Sequence, residues 1–229
     1  MTNKRILLVE DEQVLAEIVR ESLQSRGFVV DHITTVKEAL ENYYRNLPDI
    51  IVLDVMLTDG DGFTFARQIR NIDLRVPIIF LTSRSQAQDV VEGFESGGND
   101  YLKKPFSIEE LIVRIRALLS RNGLIIKSDD AVKTSRLGKY EFEYPNGILS
   151  FFESKRTLTT RESEILQILL INKNRAVDRK TILINFWGND DYFSGRSLDV
   201  FITKLRRYLK EDPAVSILNI RGQGYKLIY

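Results

Sequence analysis

The sequence contains no cysteine and a single histidine, His32, among its 229 residues. The lack of thiols excludes disulfide bonds and thiolate metal sites, and one imidazole is too few for a histidine-based metal site or a catalytic triad. His32 lies in "VVDHITT", on or just past a predicted strand, where a structural role is the simplest interpretation. Any metal chemistry in this chain therefore has to use oxygen ligands.

Long hydrophobic runs are missing as well. No stretch of about 18 uninterrupted apolar residues occurs, so no transmembrane helix is predicted. The N-terminus, "MTNKRILLVEDE", reaches acidic residues after a few apolar ones and is unlike a secretory signal. With 43% hydrophobic and 28% charged residues, the composition is typical of a soluble globular protein. We therefore expect a cytoplasmic protein without membrane contact.

The charge of the chain is unevenly distributed, although its net value is only +1. Residues 1–121 contain 15 Lys and Arg against 19 Asp and Glu, a net charge of −4. Residues 122–229 contain 18 against 13, a net charge of +5. The length permits two domains that each bury a core. A basic second half indicates contact with a polyanion, although charge alone does not identify it.

The first half alternates between strand and helix patterns. Five short apolar runs, from "KRILLVE" to "DYLKKPF", each precede a helical pattern. In the first helix, Val14, Ile18 and Leu23 have nearly helical spacing. Five such repeats predict a doubly wound, flavodoxin-like α/β domain over residues 1–121, with helices on both faces of a parallel sheet. In the strand order 2-1-3-4-5, ligands bind beyond the carboxyl ends of strands 1 and 3.

The second half has a different pattern of hydrophobic residues. The segment "NGLIIKSDDAVKTS", residues 122–135, shows no sustained period and is predicted to be a linker. Short alternating runs then predict antiparallel strands, and three helical patterns follow. The chain ends in "VSILNIRGQGYKLIY", which predicts a hairpin. Residues 136–229 are therefore predicted to form a winged helix-turn-helix domain of the α+β class.

Charged and hydroxyl side chains follow four of the five predicted parallel strands. Strand 1 ends on Glu10 and Asp11, and strand 3, "DIIVLDVM", reaches Asp54. Strand 4 ends on Thr82, and strand 5 leads into Lys104. Crowded carboxylates repel one another unless a cation lies among them, and Mg²⁺ prefers such oxygen ligands.

With a cation bound there, Asp54 can act as a nucleophile toward phosphorus, while Lys104 and Thr82 contact phosphate oxygens. Taken singly, these residues have simpler interpretations, namely helix caps for Glu10, Asp11 and Thr82 and a solvated side chain for Lys104. Their joint occurrence at the ends of strands 1, 3, 4 and 5 favours a phosphoryl-transfer site.

The stretches "ILLVEDE", "DIIVLDVML", "FLTSR" and "NDYLKKPF" resemble the receiver domain of two-component response regulators, over residues 3–121. The resemblance implies that Asp54 accepts a phosphoryl group from the phosphohistidine of a sensor histidine kinase. It implies a switch pair, Thr82 and Tyr101, in which the ring of Tyr101 is half-buried before activation and turns inward after it. The Mg²⁺ ligands that it implies are Glu10, Asp11, Asp54 and the carbonyl group of Met56.

One helix of the second half, "RSLDVFITKLRRYLK", has an apolar back and a basic front. Its predicted core stripe consists of Leu198, Ile202, Leu205 and Leu209. A basic helix after a shorter helix and a turn fits the major groove of DNA, although a solvated charged face is the common alternative. Arg221, in the turn "RGQG", is predicted to contact the minor groove or the backbone. The predicted DNA contacts on the helix are Arg196, Val200, Thr203, Lys204, Arg206 and Arg207.

This half resembles the OmpR/PhoB-type effector domain, through "LTTRESEILQILL", "FWGNDDYFSGRSLDVFITKLRRYL" and "IRGQGYKL". Together the two resemblances imply a phosphorylation-switched transcription regulator that binds paired sites on double-stranded DNA. They imply that it forms a homodimer through its receivers on activation and contacts RNA polymerase through the segment "GNDDYFSG". Trp187 is expected to be a core residue between helices.

Three positions depart from the usual family pattern. Thr58 stands where a proline is usual, a change expected to loosen the loop without touching a ligand. Asn99 replaces an acid and Val90 replaces a basic residue on the expected dimer face. Exposed ion pairs contribute about 0–1 kcal/mol each, so a dimer survives such losses.

The departures leave Glu110 without its basic partner and Arg121 without its acidic one, whereas Asp100 and Arg114 can still pair. Our hypothesis is therefore a weaker or more hydrophobic interface. The residues assigned to it are Val90, Asp100, Glu110, Arg114 and Arg121.

Two alternatives to the switched regulator remain. One is a regulator of the same fold that binds DNA without phosphorylation. The other is an enzyme that turns over a phosphate substrate through an aspartyl intermediate. Such enzymes commonly place a second acid two residues after the nucleophile, where this chain has Met56. We therefore expect no enzymatic turnover beyond slow self-dephosphorylation.

Overall fold

The computed structural model describes residues 4–83, 87–119 and 132–229. The chain divides into two compact units, Met1–Arg121 and Asn122–Tyr229, each described here by itself. The elements of the first unit, in chain order, are β1 (Arg5–Val9), α1 (Gln13–Gln24), β2 (Val29–Ile33), α2 (Val36–Asn46), β3 (Ile50–Asp54), β4 (Met56–Leu57), β5 (Gly60–Asp61), α3 (Gly62–Ile72), β6 (Ile78–Thr82), α4 (Ala87–Glu95), β7 (Asp100–Lys103) and α5 (Ile108–Leu119).

The first unit is built on a parallel sheet in the order β2-β1-β3-β6-β7. These are the five strands predicted from the sequence, and their order 2-1-3-4-5 is confirmed. Every residue of β3 and β6 is buried, because helices cover both faces of the sheet. β4 and β5 form a separate two-stranded hairpin directly after β3. The carboxyl ends of β1 and β3 therefore lie side by side.

Helix α1 packs on the sheet through Ala16, Val19 and Leu23, which are fully buried. Val14 and Ile18, whose spacing with Leu23 indicated a helix, are 69% and 50% exposed. The predicted helix is confirmed, but the spacing did not identify its buried face, because the spacings of 3 and 4 in the buried set match a helix equally well.

Both sheets of the second unit are antiparallel. Its elements are β8 (Lys133–Leu137), β9 (Tyr140–Tyr144), β10 (Ile148–Phe151), β11 (Ser154–Thr157), α6 (Thr160–Ile171), β12 (Ala176–Asp178), α7 (Arg179–Trp187), α8 (Tyr192–Tyr208), β13 (Ser216–Ile220) and β14 (Gly224–Ile228). One sheet has the order β11-β10-β9-β8 and the other the order β12-β14-β13. Three helices followed by the β13–β14 hairpin form the predicted winged helix-turn-helix.

Two details of the second unit differ from prediction. Strand β8 begins at Lys133, so the last three residues of the predicted linker, 133–135, belong to a sheet. Of the rest of that linker, residues 122–131 lie outside the described residues, and Val132 is described. The three-residue strand β12 was not predicted, because so short a run carries no period of its own.

The core of the second unit lies between α6 and α8. Helix α6 begins with a capping box in which Thr159 and Glu162 bond reciprocally to each other's backbone amides. The predicted stripe of α8 is confirmed, because its four leucine and isoleucine residues are at most 2% exposed. Trp187 is buried against Phe186 and Phe201, as expected of a core residue. No helix in the described ranges combines the length and hydropathy of a membrane span.

Candidate functional site

Three carboxylates meet at the carboxyl edge of the parallel sheet. Glu10 and Asp11 follow β1, and Asp54 is the last residue of β3. β1 and β3 are paired in parallel, with Val9 opposite Leu53, so both strands end at the same edge. One carboxylate oxygen from each of the three lies within 4.8 Å of the others. Glu10 is fully buried and Asp54 is 5% exposed, so two of the three charges are removed from water.

Lys104 lies between two of these carboxylates. Its Nζ is 2.8 and 3.0 Å from the oxygens of Glu10 and 2.7 Å from Oδ2 of Asp54. Its backbone N–H donates to the carbonyl of Thr82, which holds the residue at the end of β6. Burial lowers the pKa of Lys104, but the hydrogen bonds to Asp54 and Glu10 outweigh it and raise the pKa overall. The structure therefore excludes a solvated surface role for Lys104.

Two backbone amides complete the cluster. The N–H of Met56 donates to Oδ1 of Asp54 at 3.0 Å, and the N–H of Thr58 donates to Oδ2 of Asp11 at 2.9 Å. The expectation that Thr58 touches no predicted ligand was wrong. The β4–β5 hairpin turns the chain back at this point, and Asp59 fixes the turn by accepting from the N–H of Val36. A proline at position 58 has no N–H to donate.

A helix-capping role for Glu10 and Asp11 is not what the structure shows. Helix α1 begins at Gln13, and its N-cap residue is Glu12, whose side chain makes no capping bond. Toward α1, the side chain of Glu10 accepts a long bond, 3.3 Å, from the N–H of Glu12, which precedes the helix. The two carboxylates lie instead toward Asp54, where their charges are costly unless a cation compensates them.

Burial raises the pKa of Glu10 to about 7; the bond to Lys104 opposes this rise, and the charge of Asp54 adds to it. In the metal-free protein we therefore expect stability to fall as pH rises from about 5 to about 7. Folded Glu10 keeps its proton across this range, whereas in the unfolded chain it ionises near its ordinary value of 4.5. The loss is at most on the order of 3 kcal/mol.

Urea denaturation in the presence of a chelator, at several pH values, measures this effect. Glu10→Gln serves as the comparison, because an amide cannot ionise and its stability profile should be flatter than that of the wild type. Parallel profiles for the two proteins would contradict the assignment of the proton to Glu10.

The residues present fit a Mg²⁺ ion. All donors are oxygens, and three carboxylates against one lysine leave a net negative charge. Two oxygens on one Mg²⁺ are separated by at most about 4.2 Å, so only a small closure of the 4.8 Å cluster is needed. Met56, whose carbonyl is the other implied ligand, follows the cluster directly at the start of β4.

Thr82 and Tyr101, the implied switch pair, are both buried. Thr82 ends β6 and is fully buried, and Tyr101 in β7 is 1% exposed. The Tyr101 ring packs against Phe80 and Phe94 at centroid distances of 6.3 Å. The expected half-buried position of Tyr101 is therefore wrong for this structure. Gly93 leaves room for the inward ring, since a Cβ there would come within 3.1 Å of it.

The charges assigned to the dimer face are paired within one chain. Arg114 is 2.8 Å from Asp100, with both side chains 2% exposed, and 2.7 Å from Glu110. The loss of a basic partner for Glu110 across the dimer stays a prediction; within the chain, one turn of α5 brings Arg114 to Glu110. Asn99 is buried and accepts from the N–H of Ile78. Arg121 and the side chain of Val90 lie outside the described residues.

Most of the predicted DNA contacts face solvent. Arg196, Thr203, Arg206 and Arg207 on α8 are exposed, Val200 is half-buried, and Arg221 is exposed in the β13–β14 turn. Lys204 is the exception, because it is 8% exposed and its ammonium lies 3.5 Å from Glu162 of α6. The prediction that Lys204 faces DNA was wrong here: it lies on the flank of α8, next to a buried carboxylate.

One arginine that sequence reasoning missed joins the helices to the C-terminal hairpin. Arg179, the first residue of α7, bonds to Asp199 of α8 at 2.7 Å and to the Gly195 carbonyl at 2.8 Å. It also donates to the hydroxyl of Tyr225 in β14, and its backbone N–H donates to the carbonyl of Gln223. No periodicity signals such a residue, since its partners are remote in sequence.

Comparison with known proteins agrees with this geometry. Residues 6–116 match the family model described as response regulator receiver domain, and residues 153–227 match transcriptional regulatory protein, C terminal. The chain is 41% identical to the transcriptional regulatory protein RprY of Bacteroides fragilis, over 98% of this chain and 94% of that protein. It is 37% identical to the response regulator MprA of Mycobacterium leprae, over 97% of each.

A solved structure covers the whole chain. The response regulator DrrB of Thermotoga maritima, described as an OmpR/PhoB homologue, is 28% identical and aligns over the full length of both chains with a TM-score of 0.54. The similarity therefore extends over both units in the same order.

Proposed function

The chain belongs to the OmpR/PhoB family of two-component response regulators, and we propose that phosphorylation of Asp54 by a sensor histidine kinase controls its binding to DNA. The observation that carries this proposal is the bridge from Lys104 to both Glu10 and Asp54. A lysine among buried carboxylates at a sheet edge neutralises charge where a phosphoryl group is to be received.

The chemistry assigns a task to each residue of the cluster. An oxygen of Asp54 forms a bond to phosphorus while the bond from phosphorus to the histidine nitrogen of the kinase breaks. Glu10, Asp11, Asp54 and the Met56 carbonyl would hold Mg²⁺, which supplies charge neutralisation when bound. Lys104 then exchanges its contact with Asp54 for one with the phosphoryl oxygens. Thr82 donates a hydrogen bond from its hydroxyl group to one of these oxygens.

The relatives are regulators rather than enzymes. We propose that turnover by this chain is limited to slow hydrolysis of its own phosphoaspartate. No acid stands two residues beyond Asp54, where Met56 offers only a thioether. An assay with a small phosphoester tests this point, and sustained release of phosphate would contradict it.

The second unit is the DNA-binding part of the proposal. The exposed face of α8 carries arginines next to Val200 and Thr203, which suits phosphates and base edges in the major groove. Arg221 at the exposed turn suits the adjacent minor groove or backbone. We assign RNA polymerase contact to the α7–α8 connection, where Asp191 caps α8. These partners belong to a cytoplasmic protein.

For the homodimer, we propose the face formed by α4, β7 and α5. Asp100, Glu110 and Arg114 pair within one chain, so few of the expected charges are left to bridge two copies. Val91 and Val113 are 36% and 53% exposed on α4 and α5, which favours a more apolar interface.

Binding to DNA with and without a phosphodonor tests the proposed function against its alternative. We expect the affinity of wild-type protein for a duplex that it selects from a random library to rise after treatment with Mg²⁺ and a small acyl phosphate. Equal affinity in both conditions would favour the phosphorylation-independent regulator.

The amide of Thr58 yields a further prediction about the cation. Thr58→Pro removes the N–H that orients Asp11, and we expect Mg²⁺ to bind roughly three- to tenfold more weakly, because a bond to a charged group is lost. Thr58→Ala keeps the N–H and should bind Mg²⁺ like the wild type.

Titration calorimetry measures both variants. An unchanged amide resonance of Val36, which bonds to Asp59 in the same turn, shows that the loop is intact. Identical Mg²⁺ affinities for the proline and alanine variants would rule out an orienting role for this amide.

A further inference from the structure

A groove of 570 Å³ lies between the β10–β11 hairpin and the C-terminal end of α8. It is lined in part by Arg156 of β11 and by Arg207, Tyr208 and Lys210 at the end of α8. None of the DNA contacts predicted from the sequence lies on the β10–β11 hairpin. The groove is therefore a feature that the proposed recognition helix and C-terminal hairpin do not explain.

Two guanidinium groups share one aromatic ring in this groove. The Cζ atom of Arg156 is 4.5 Å from the centroid of Tyr208, and that of Arg207 is 5.7 Å from the same centroid. Contact with the face of a ring is favourable for a guanidinium, whose N–H donors form a planar fork. Both forked donors therefore belong to the lining of one groove, near the same ring.

The groove lining has an excess of positive charge. Among the described residues, neither Arg156 nor Arg207 has a carboxylate partner within 4.0 Å, and Glu211, which also lines the groove, pairs with Lys210 at 3.7 Å. Such a lining attracts an anion. A planar fork of N–H donors matches the oxygens of a phosphate group better than a point charge does.

We propose that Arg156 and Arg207 bind a backbone phosphate of DNA, beside the base pairs that α8 contacts. This inference rests on the proposed function. DNA is favoured because Arg207 belongs to the exposed face of α8, so the groove continues the same basic surface. The contact would extend the DNA interface from α8 and the C-terminal hairpin to the four-stranded sheet.

The chain offers a matched control in the neighbouring residue of β11. Lys155 and Arg156 are both exposed and carry the same charge, but successive side chains of a strand point to opposite faces. Arg156 lies opposite Leu149, which lines the groove, whereas Lys155 lies opposite Ser150, which does not. Removing either residue lowers the net charge equally, and only one removal changes the groove.

The experiment measures the affinity of the full chain for a selected duplex over a range of salt concentrations. Arg156→Ala should weaken binding roughly three- to tenfold and reduce the slope of log affinity against log salt by about 1. Lys155→Ala should leave the slope unchanged. Arg156→Lys, which keeps the charge without the fork, should fall between the wild type and Arg156→Ala.

Equal changes in Arg156→Ala and Lys155→Ala, or no change in either, would overturn the proposal. A free phosphate ion offers the same oxygens as a DNA phosphate. Titration with inorganic phosphate at constant ionic strength, followed by the NMR shifts of backbone amides near Tyr208, tests whether the groove binds the free ion. Saturable phosphate binding combined with an unchanged DNA slope would make the groove a small-anion site and overturn the DNA assignment.

Arg196→Ala separates this proposal from the proposed function. If Arg196→Ala weakens DNA binding and Arg156→Ala does not, the groove proposal is overturned, and the assignment of α8 as the recognition helix is kept. If the wild-type protein selects no duplex from the library, the DNA-binding function itself fails, and the groove proposal fails with it. Circular dichroism confirms that the variants of these exposed residues remain folded.

Discussion

Asp54→Asn is expected to abolish the gain of one phosphoryl group that we expect of the wild-type protein after incubation with Mg²⁺ and a small phosphodonor. The amide nitrogen and oxygen of asparagine are too weakly nucleophilic to attack phosphorus under these conditions. The change nearly preserves shape, and an amide oxygen still accepts the N–H of Met56. The loss therefore reports the missing nucleophile rather than a collapsed site. Intact-protein mass spectrometry measures the gain directly.

Asp59→Asn is the matched control, because Asp59 is exposed in the turn next to the cluster and asparagine also accepts a hydrogen bond. This variant should gain the phosphoryl group like the wild type. DNA affinity is measured on the same samples and should rise only for the proteins that gain mass. A phosphoryl group on Asp54→Asn would assign the reaction to another residue. No gain by the wild type, with DNA bound equally well, would leave the cluster as a structural site.

Arg179→Ala is expected to weaken DNA binding by roughly ten- to a hundredfold, because it releases α8 from the C-terminal hairpin. Arg179 bonds to Asp199 and the Gly195 carbonyl on α8 and to Tyr225 on β14, so a single guanidinium sets the position of both. Truncation also removes a partly exposed ion pair with Asp199, which contributes about 0–1 kcal/mol to stability. The melting temperature of this unit should therefore fall as well.

The salt dependence of binding distinguishes positioning from direct contact. The charge of Arg179 is already paired with Asp199, so we expect the salt slope of Arg179→Ala to stay close to that of the wild type. A slope reduced by about 1 would instead identify Arg179 as a phosphate contact. Tyr225→Phe removes two bonds of the network, the one accepted from Arg179 and the one donated to Asp199, but keeps the guanidinium on α8, so it should give a smaller loss of the same kind. Arg175→Ala, an exposed arginine close by, should have little effect on affinity.

Sequence patterns were reliable where a property depends on neighbours along the chain. The five strand–helix repeats and the core stripe of α8 follow from periodicity. The strand order 2-1-3-4-5 was predicted as that of a common doubly wound fold, and the structure confirms it. The convergence of Glu10, Asp11, Asp54 and Lys104 followed from the rule that parallel strands end at one edge. In the structure Lys104 contacts both Glu10 and Asp54, as that prediction requires.

The wrong expectations share a different cause. The helical spacing of Val14, Ile18 and Leu23 did not identify the buried face of α1, because that face is set by how the helix packs on the sheet. Lys204 was assigned to the DNA-facing surface, yet its ammonium lies 3.5 Å from the buried Glu162. Such partners depend on the angle at which a side chain leaves its helix, and a helical wheel does not contain this information.

By itself the sequence determined which elements form and which carboxylates, lysine and basic helix are the candidates for the site, because these depend on local periodicity and on strand ends. The tertiary structure alone decided which backbone amides and buried side chains contact those residues. It placed the amide of Thr58 on Asp11, the ring of Tyr101 inside the receiver unit, and Arg179 between α8 and the hairpin. These contacts join residues remote in sequence, and their free energy depends on burial and distance, which exist only once the chain has folded.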